Sequence, residues 1–364
     1  MKIKEITAVI EAFAPLAYQE SYDNAGLIVG NPDDEVKGAL ICLDSTEEIV
    51  DEAIAKNCDL IIAHHPIVFS GLKKLNGKNY IEKTIIKAIK NNIAIYAAHT
   101  NLDNVTNGVS FKMAQKIGLT NCKVLAPKGN LLNKIVTFCP VKDADNVRQA
   151  MFDSGAGAIG NYNECSFNGE GIGTFKAGEG TTPYVGKKNE QHQEPEVKIE
   201  TVVVTHQLHR VVQALIQAHP YEEVAYDIYP LNNTMNTIGS GLIGELQQEE
   251  EELAFLKRLK KDLKTESIRY TNLRKKKVKK VALCGGSGSF LLNDAIKANA
   301  DIFISGDFKY HQFFDAEDKI VIADVGHYES EQFTNELFYE LLTKKITNFA
   351  VRLSEINTNP INYL

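Results

Sequence analysis

The chain has 364 residues, 44% hydrophobic and 24% charged, with a net charge of −7; that length exceeds what one hydrophobic core usually serves, so two domains are expected. The acidic balance excludes a general nucleic-acid binder, which would be basic. The N-terminal segment Met1-Lys2-Ile3-Lys4-Glu5 lacks a signal-peptide apolar core and no apolar run spans a bilayer, so a cytoplasmic protein without a membrane partner is expected.

In chain order, residues 3–14 predict an amphipathic helix that stops before Pro15. The apolar run 38–43 predicts a strand, and Ser45 with two following acids predicts a capped helix. The run 60–63 predicts a strand leading into His64, and 79–90 a helix. The run 93–98 predicts a strand leading into His99, and 107–117 another helix. Strand–helix alternation implies a largely parallel sheet covered by helices.

The pattern changes near residue 131. Strands are expected at 134–139, 162–167, 198–204 and 224–229, with helices at 143–152 and 207–218. The Gly-rich, charged stretch 168–196 is expected to be a long loop. The order β-α-β-β-α-β is the ferredoxin-like pattern. The domains read as 1–130, first half of a core; 131–231, an insert; and 232–364, the second half.

Glu249 to Glu252 precede Leu253, Leu256, Leu259 and Leu263, with lysines following. This predicts an amphipathic helix with charges matched to its dipole. The basic run 274–280 favours a solvated entry to the strand 281–284 over a phosphate contact. Six cysteines without a CxxC pair indicate reduced, buried thiols. His219, before Pro220, reads as a structural histidine at a helix stop.

Metal-type side chains occur at three places: His64-His65, His99 with Asp103, and His327 with Glu331. Each follows or sits near the end of an apolar run, and α/β ligands collect outside the carboxyl ends of strands. His327 and Glu331 are four apart, hence on one helical face if a helix starts near Gly326. Five ligands exceed what one open zinc needs, so two ions sharing a carboxylate are expected. Glu331 is the preferred bridge, with Asp103 the alternative. His99 and Asp44 are expected to support the ligands through hydrogen bonds. The loop carrying Gly286 and Ser287 reads equally as an anion cradle or a tight turn. Asp307 and His311 are expected to line the same pocket.

The segments Ala63-His64-His65-Pro66, His99-Thr100-Asn101-Leu102-Asp103 and Gly326-His327-Tyr328-Glu329-Ser330-Glu331 resemble the metal motifs of the NIF-three-like proteins, the GTP cyclohydrolase I type 2 homologs. Asp23-Asn24-Ala25-Gly26-Leu27, Gly285-Gly286-Ser287-Gly288 and Ser305-Gly306-Asp307 match that pattern too. The resemblance spans 1–130 and 232–364, and residues 219–227 resemble the CutA/PII-like insert of longer bacterial members. It implies an α/β sheet-and-helix core formed by both chain ends, with an inserted ferredoxin-like α+β domain. It further implies a homohexamer with two divalent metal ions per chain (Zn, Fe, Mn, Co or Ni) on His64, His65, Asp103, His327 and Glu331. The expected function is metal-dependent hydrolysis, with GTP ring opening and formate release as the leading reaction. A nucleotide or phosphorylated small molecule is the expected partner. The alternatives are a two-metal phosphoesterase and a ring-shaped regulatory or scaffold protein with structural metals.

Overall fold

In the computed structural model, which describes residues 1–364, the chain starts with helix α1 (Ile3–Phe13). It buries Ile3, Ile6, Thr7 and Ile10, one stripe at helical spacing. Then come β1 (Gly26–Val29), β2 (Gly38–Cys42), α2 (Glu47–Ala55), β3 (Leu60–Ala63), α3 (Tyr80–Lys90) and β4 (Ala94–Ala97). The cap of α2 is Thr46, not Ser45: its side chain accepts from the Ile49 amide at 3.3 Å. The four-residue helix α4 (Thr100–Asp103), α5 (Val109–Lys116) and β5 (Leu119–Lys128) complete this half.

The middle of the chain holds β6 (Leu132–Pro140), α6 (Ala144–Asp153), β7 (Ser166–Lys176), β8 (Gln191–Val204), α7 (Leu208–Ala218) and β9 (Tyr226–Leu231). Their sheet has the order β7-β8-β6-β9 with antiparallel pairing throughout, the ferredoxin-like arrangement. The expected loop at 168–196 is shorter than that: β7 runs to Lys176 and β8 starts at Gln191, leaving 177–190 between them. β7 and β8 pair from Ser166↔Thr201 to Lys176↔Gln191. Gly169, Gly171 and Gly173 interrupt the apolar alternation that would announce a strand. His219 is structural: Nε2 donates to the Phe138 carbonyl at 2.9 Å, and Nδ1 accepts from the Tyr221 amide at 3.1 Å.

The remaining elements are β10 (Met235–Glu251), α8 (Glu252–Asp262), β11 (Arg269–Tyr270), β12 (Lys277–Ser287), α9 (Leu292–Lys297), β13 (Ile302–Gly306), β14 (Val321–Asp324), α10 (His327–Glu331), α11 (Thr334–Lys345) and β15 (Ala350–Leu353). Glu249 to Glu251 end β10 rather than opening α8. The buried stripe of α8 runs through Phe255, Leu256 and Leu259 to Leu263, while Leu253 is exposed. In the basic run, Arg274 pairs with Glu252 and Asp301, and Asp301 accepts the Lys279 and Lys280 amides, as a strand entry requires.

By its contacts the chain forms two units, Met1–Pro127 with Asn236–Leu364, and Lys128–Met235. The first contains two sheets, β1-β4-β3-β2-β15 and β11-β14-β13-β12-β10-β5. In one, β15, β2, β3 and β4 run parallel; in the other, β12, β13 and β14 do. The central strands are buried on both faces, which accounts for their continuous apolar runs. No helix is long and apolar enough to cross a membrane. All six cysteines are free.

Candidate metal centre

His64 and His65 follow β3 directly, so the buried strand fixes where both rings leave the sheet. The His64 ring is fully buried, and its Nδ1 donates to the Ala98 carbonyl at 2.9 Å. A carbonyl can only accept, so the proton sits on Nδ1 and the Nε2 lone pair faces the cluster. Nε2 lies 3.7 Å from Asp103 Oδ1 and 3.7 Å from Glu331 Oε1. His65 Nδ1 bonds Asp44 Oδ1 at 2.8 Å.

Asp103 closes α4, just beyond β4, and His327 and Glu331 stand one turn apart on α10, just beyond β14. Glu331 Oε2 lies 3.0 Å from His65 Nε2 and 3.1 Å from His327 Nε2. His327 Nδ1 bonds Asp307 Oδ2 at 2.7 Å. Gly286 lets this carboxylate approach the backbone. A Cβ there would stand 2.2 Å from Glu331 Oε1, and its φ of +64° is one that glycine adopts readily.

The electrostatics favour bound positive charge. Burial opposes charging the two rings, yet the Glu331 carboxylate and the bonded Asp44 and Asp307 raise them, His65 to about 10 and His327 to about 11. Burial alone would raise Glu331, but the charged His327 and His65 hold it well below the usual carboxylate range. Burial, and then the Glu331 charge, push Asp103 upward.

These donors fit divalent ions. His64 Nε2, Asp103 Oδ1 and Glu331 Oε2 are buried without a hydrogen-bond partner, a costly arrangement for three polar atoms. Two nitrogen ligands about 2.0–2.1 Å from one tetrahedral ion would stand about 3.3 Å apart, and His65 Nε2 and His327 Nε2 are 3.3 Å apart. Three donor groups have their atoms within 4.8 Å of one another: His64, His65 and His99; His65, His327 and Glu331; and His64, Asp103 and Glu331. Imidazole with carboxylate suits Zn, Fe, Co, Ni or Mn.

Of the other residues singled out in the sequence, Asp44 and Asp307 hold ring nitrogens, as described, but Asp307, expected to line the pocket, is not among the residues lining the cavity over the cluster. His99 faces the histidine pair, its ring 5.3 Å from His64 and 5.4 Å from His65. Ser287 lines the cavity over the cluster, which has a volume of about 550 Å³. In the glycine loop the Gly286 and Gly288 amides are already used, donating to Ser330 Oγ and Ser305 Oγ, both at 2.9 Å. His311 lies outside the cavity lining, exposed, against Tyr310 and Phe314 of its own helical turn.

Sequence reasoning gave no role to two positioning residues. Asp23 accepts from His99 Nδ1 at 2.8 Å, the Thr100 amide at 2.9 Å and the Thr100 hydroxyl. Its place in Asp23-Asn24-Ala25-Gly26-Leu27 was the available signal. Thr358 Oγ1 donates to Asp44 Oδ2 at 2.6 Å, and nothing local in the sequence marks it. Tyr22, Phe69 and Phe290 line the cavity with exposed rings, the first two 6.1 Å apart.

The model of the Duf34/NIF3 (NGG1p interacting factor 3) family matches residues 1–360. A Halalkalibacterium halodurans protein named GTP cyclohydrolase 1 type 2 homolog is 39% identical over 372 residues, covering 100% of both chains. A Bacillus subtilis protein of the same name is 37% identical, covering 99% of this chain and 98% of its own. The crystal structure of a Bacillus cereus protein related to NIF3 is 39% identical, with a TM-score of 0.86 over 100% of this chain and 99% of that one.

Proposed function

The chain belongs to the Duf34/NIF3 family, and from that premise we propose that it is a dinuclear metal-dependent hydrolase, with purine ring opening of GTP as its leading reaction. The observation that carries this is the sharing of Glu331. One carboxylate oxygen meets His65 and His327, and the other meets His64, which also faces Asp103. Two groups of donors thus share one carboxylate, the pattern of a bridging ligand. His64, His65, Asp103, His327 and Glu331 would hold the ions. When bound, the ions would supply Lewis acidity and lower the pKa of water.

The chain's own residues do the rest. The Ala98 carbonyl, Asp44 and Asp307 accept hydrogen bonds from the Nδ1–H groups of His64, His65 and His327, which keeps Nδ1 protonated and leaves the Nε2 lone pairs for the ions. Tyr22, Phe69 and Phe290 offer ring faces to a planar heterocycle. No lysine or arginine lines the cavity, so a substrate phosphate would depend on the ions for charge neutralisation. In the proposed reaction one water adds at purine C8 as the C8–N9 bond breaks. A second water releases C8 from N7 as formate. The reading includes assembly into a homohexamer, which light scattering of the purified protein tests directly.

The decisive experiment is formate release from GTP by metal-reconstituted protein, with Glu331→Ala as control. Metal-dependent formate that the variant loses supports the proposal. Phosphate without formate assigns phosphoester hydrolysis instead. Neither product from a fully loaded protein moves the regulatory reading ahead.

A further inference from the structure

The inserted unit has a cavity of its own, with a volume of about 700 Å³. Its floor is Glu196, a carboxylate only 8% exposed. On β8, Val197, Ile199 and Val203 pack into the apolar core, so the alternate residue Glu196 faces the opposite side of the sheet. Glu196 pairs with Gly171 of β7, and its carboxylate lies across Gly173. A Cβ on Gly173 would stand 2.1 Å from Glu196 Oε2, so the bare backbone makes room for the acid.

Lys176 and Lys198 line the cavity too, but with Glu196 the acids Glu170, Glu222 and Glu223 outnumber them, and the lining carries several aromatic rings. Tyr221 is 6.1 Å from Phe175 and 6.2 Å from Tyr184 between ring centroids, inclined at 59° and 58°. Tyr221 is thus inclined to both neighbouring rings rather than stacked on either. Tyr221 donates its hydroxyl to Glu196 Oε1 at 2.8 Å. No basic side chain pairs with Glu196; Lys198, two residues along, pairs with Glu200. The Lys142 ammonium stands 4.5 Å from the centroid of Tyr184, so one of these rings already takes a cation on a face. A buried acid with no salt-bridge partner, in a cavity that Phe175, Tyr184 and Tyr221 also line and whose acids outnumber its lysines, selects positive charge with an apolar body.

We propose that this cavity binds a small organic cation, an alkylammonium group held against Glu196 by the rings of Phe175, Tyr184 and Tyr221. The site is independent of the metal cluster and of the proposed hydrolysis.

The test is calorimetric titration of the full chain with n-butylammonium, tetramethylammonium and neutral n-butanol. Saturable binding of a cation with a Kd of about 1 mM or tighter, and none of the alcohol, is expected. Tighter binding of n-butylammonium identifies a primary amine that donates to Glu196; tighter tetramethylammonium identifies a quaternary ligand held by the rings. Glu196→Gln keeps an acceptor for Tyr221 while removing the charge, and should weaken cation binding about tenfold or more. Tyr184→Ala, at a half-exposed position, should also weaken it. No saturable binding of either cation, equal binding of n-butanol, or unchanged affinity in folded Glu196→Gln would overturn the proposal.

Discussion

His65 and His327 are 262 positions apart in the chain, yet their Nε2 atoms face each other at 3.3 Å. Each ring is held from behind by a carboxylate, Asp44 or Asp307, and Glu331 lies against both. Without a cation, that packing depends on extra protons. Chelation of divalent ions should therefore lower the thermal midpoint, and re-addition should restore it. With free ion at about 1,000 times its Kd, ligation stabilises the fold by about 4 kcal/mol. An unchanged midpoint when metal-loaded protein is stripped would count against ion binding at this cluster.

Gly286→Ala would place a Cβ 2.2 Å from Glu331 Oε1 at a backbone φ of +64°. The carboxylate must move or the strand must bend, at a cost of about 1–3 kcal/mol. Metal content by elemental analysis should fall together with stability in denaturant. Gly178→Ala, with nothing within 4 Å of the new Cβ, is the neutral control.

Asp23 supplies a pH dependence. Burial would raise its pKa, but the bonds from His99 and Thr100 outweigh burial and lower it from 3.8 to about 2. A depressed folded pKa means that the unfolded chain protonates first as pH falls. Its stabilisation is thus complete above about 4 and lost between about 4 and about 2, amounting to about 2 kcal/mol. Urea unfolding across that range should show a steeper acid loss in the native chain than in Asp23→Asn. Parallel profiles would refute this assignment.

Thr358→Val removes the hydroxyl that donates to Asp44 Oδ2 while keeping the side chain's shape. Asp44 would then hold His65 less firmly. Metal affinity should fall by about tenfold, as for other groups that orient a ligand from behind, with little change in unfolding. Competition against a chromophoric chelator measures it; native affinity would show that Asp44 needs no such support.

Much of the fold was legible because its signals are local. The runs 60–63 and 93–98 are apolar throughout because β3 and β4 are buried on both faces. The spacing of His327 and Glu331 is one helical turn, and α10 is that turn. β7 was hidden because three glycines replace the side chains that would mark alternation. The expectation that Asp307 and His311 line the cavity failed because proximity in sequence to a strand end does not fix which way the following residues face: Asp307 turns to the back of the His327 ring, and His311 to its own helical turn.

The sequence by itself determined which side chains stand at strand ends and which pair shares a helix face, because period and burial are written within a few residues. Only the tertiary structure decided that strand ends from two different sheets meet around Glu331. It alone assigned Asp23 to His99, 76 residues away, and Thr358 to Asp44, 314 residues away. Such contacts arise from the packing of whole elements, which places residues together irrespective of their separation along the chain.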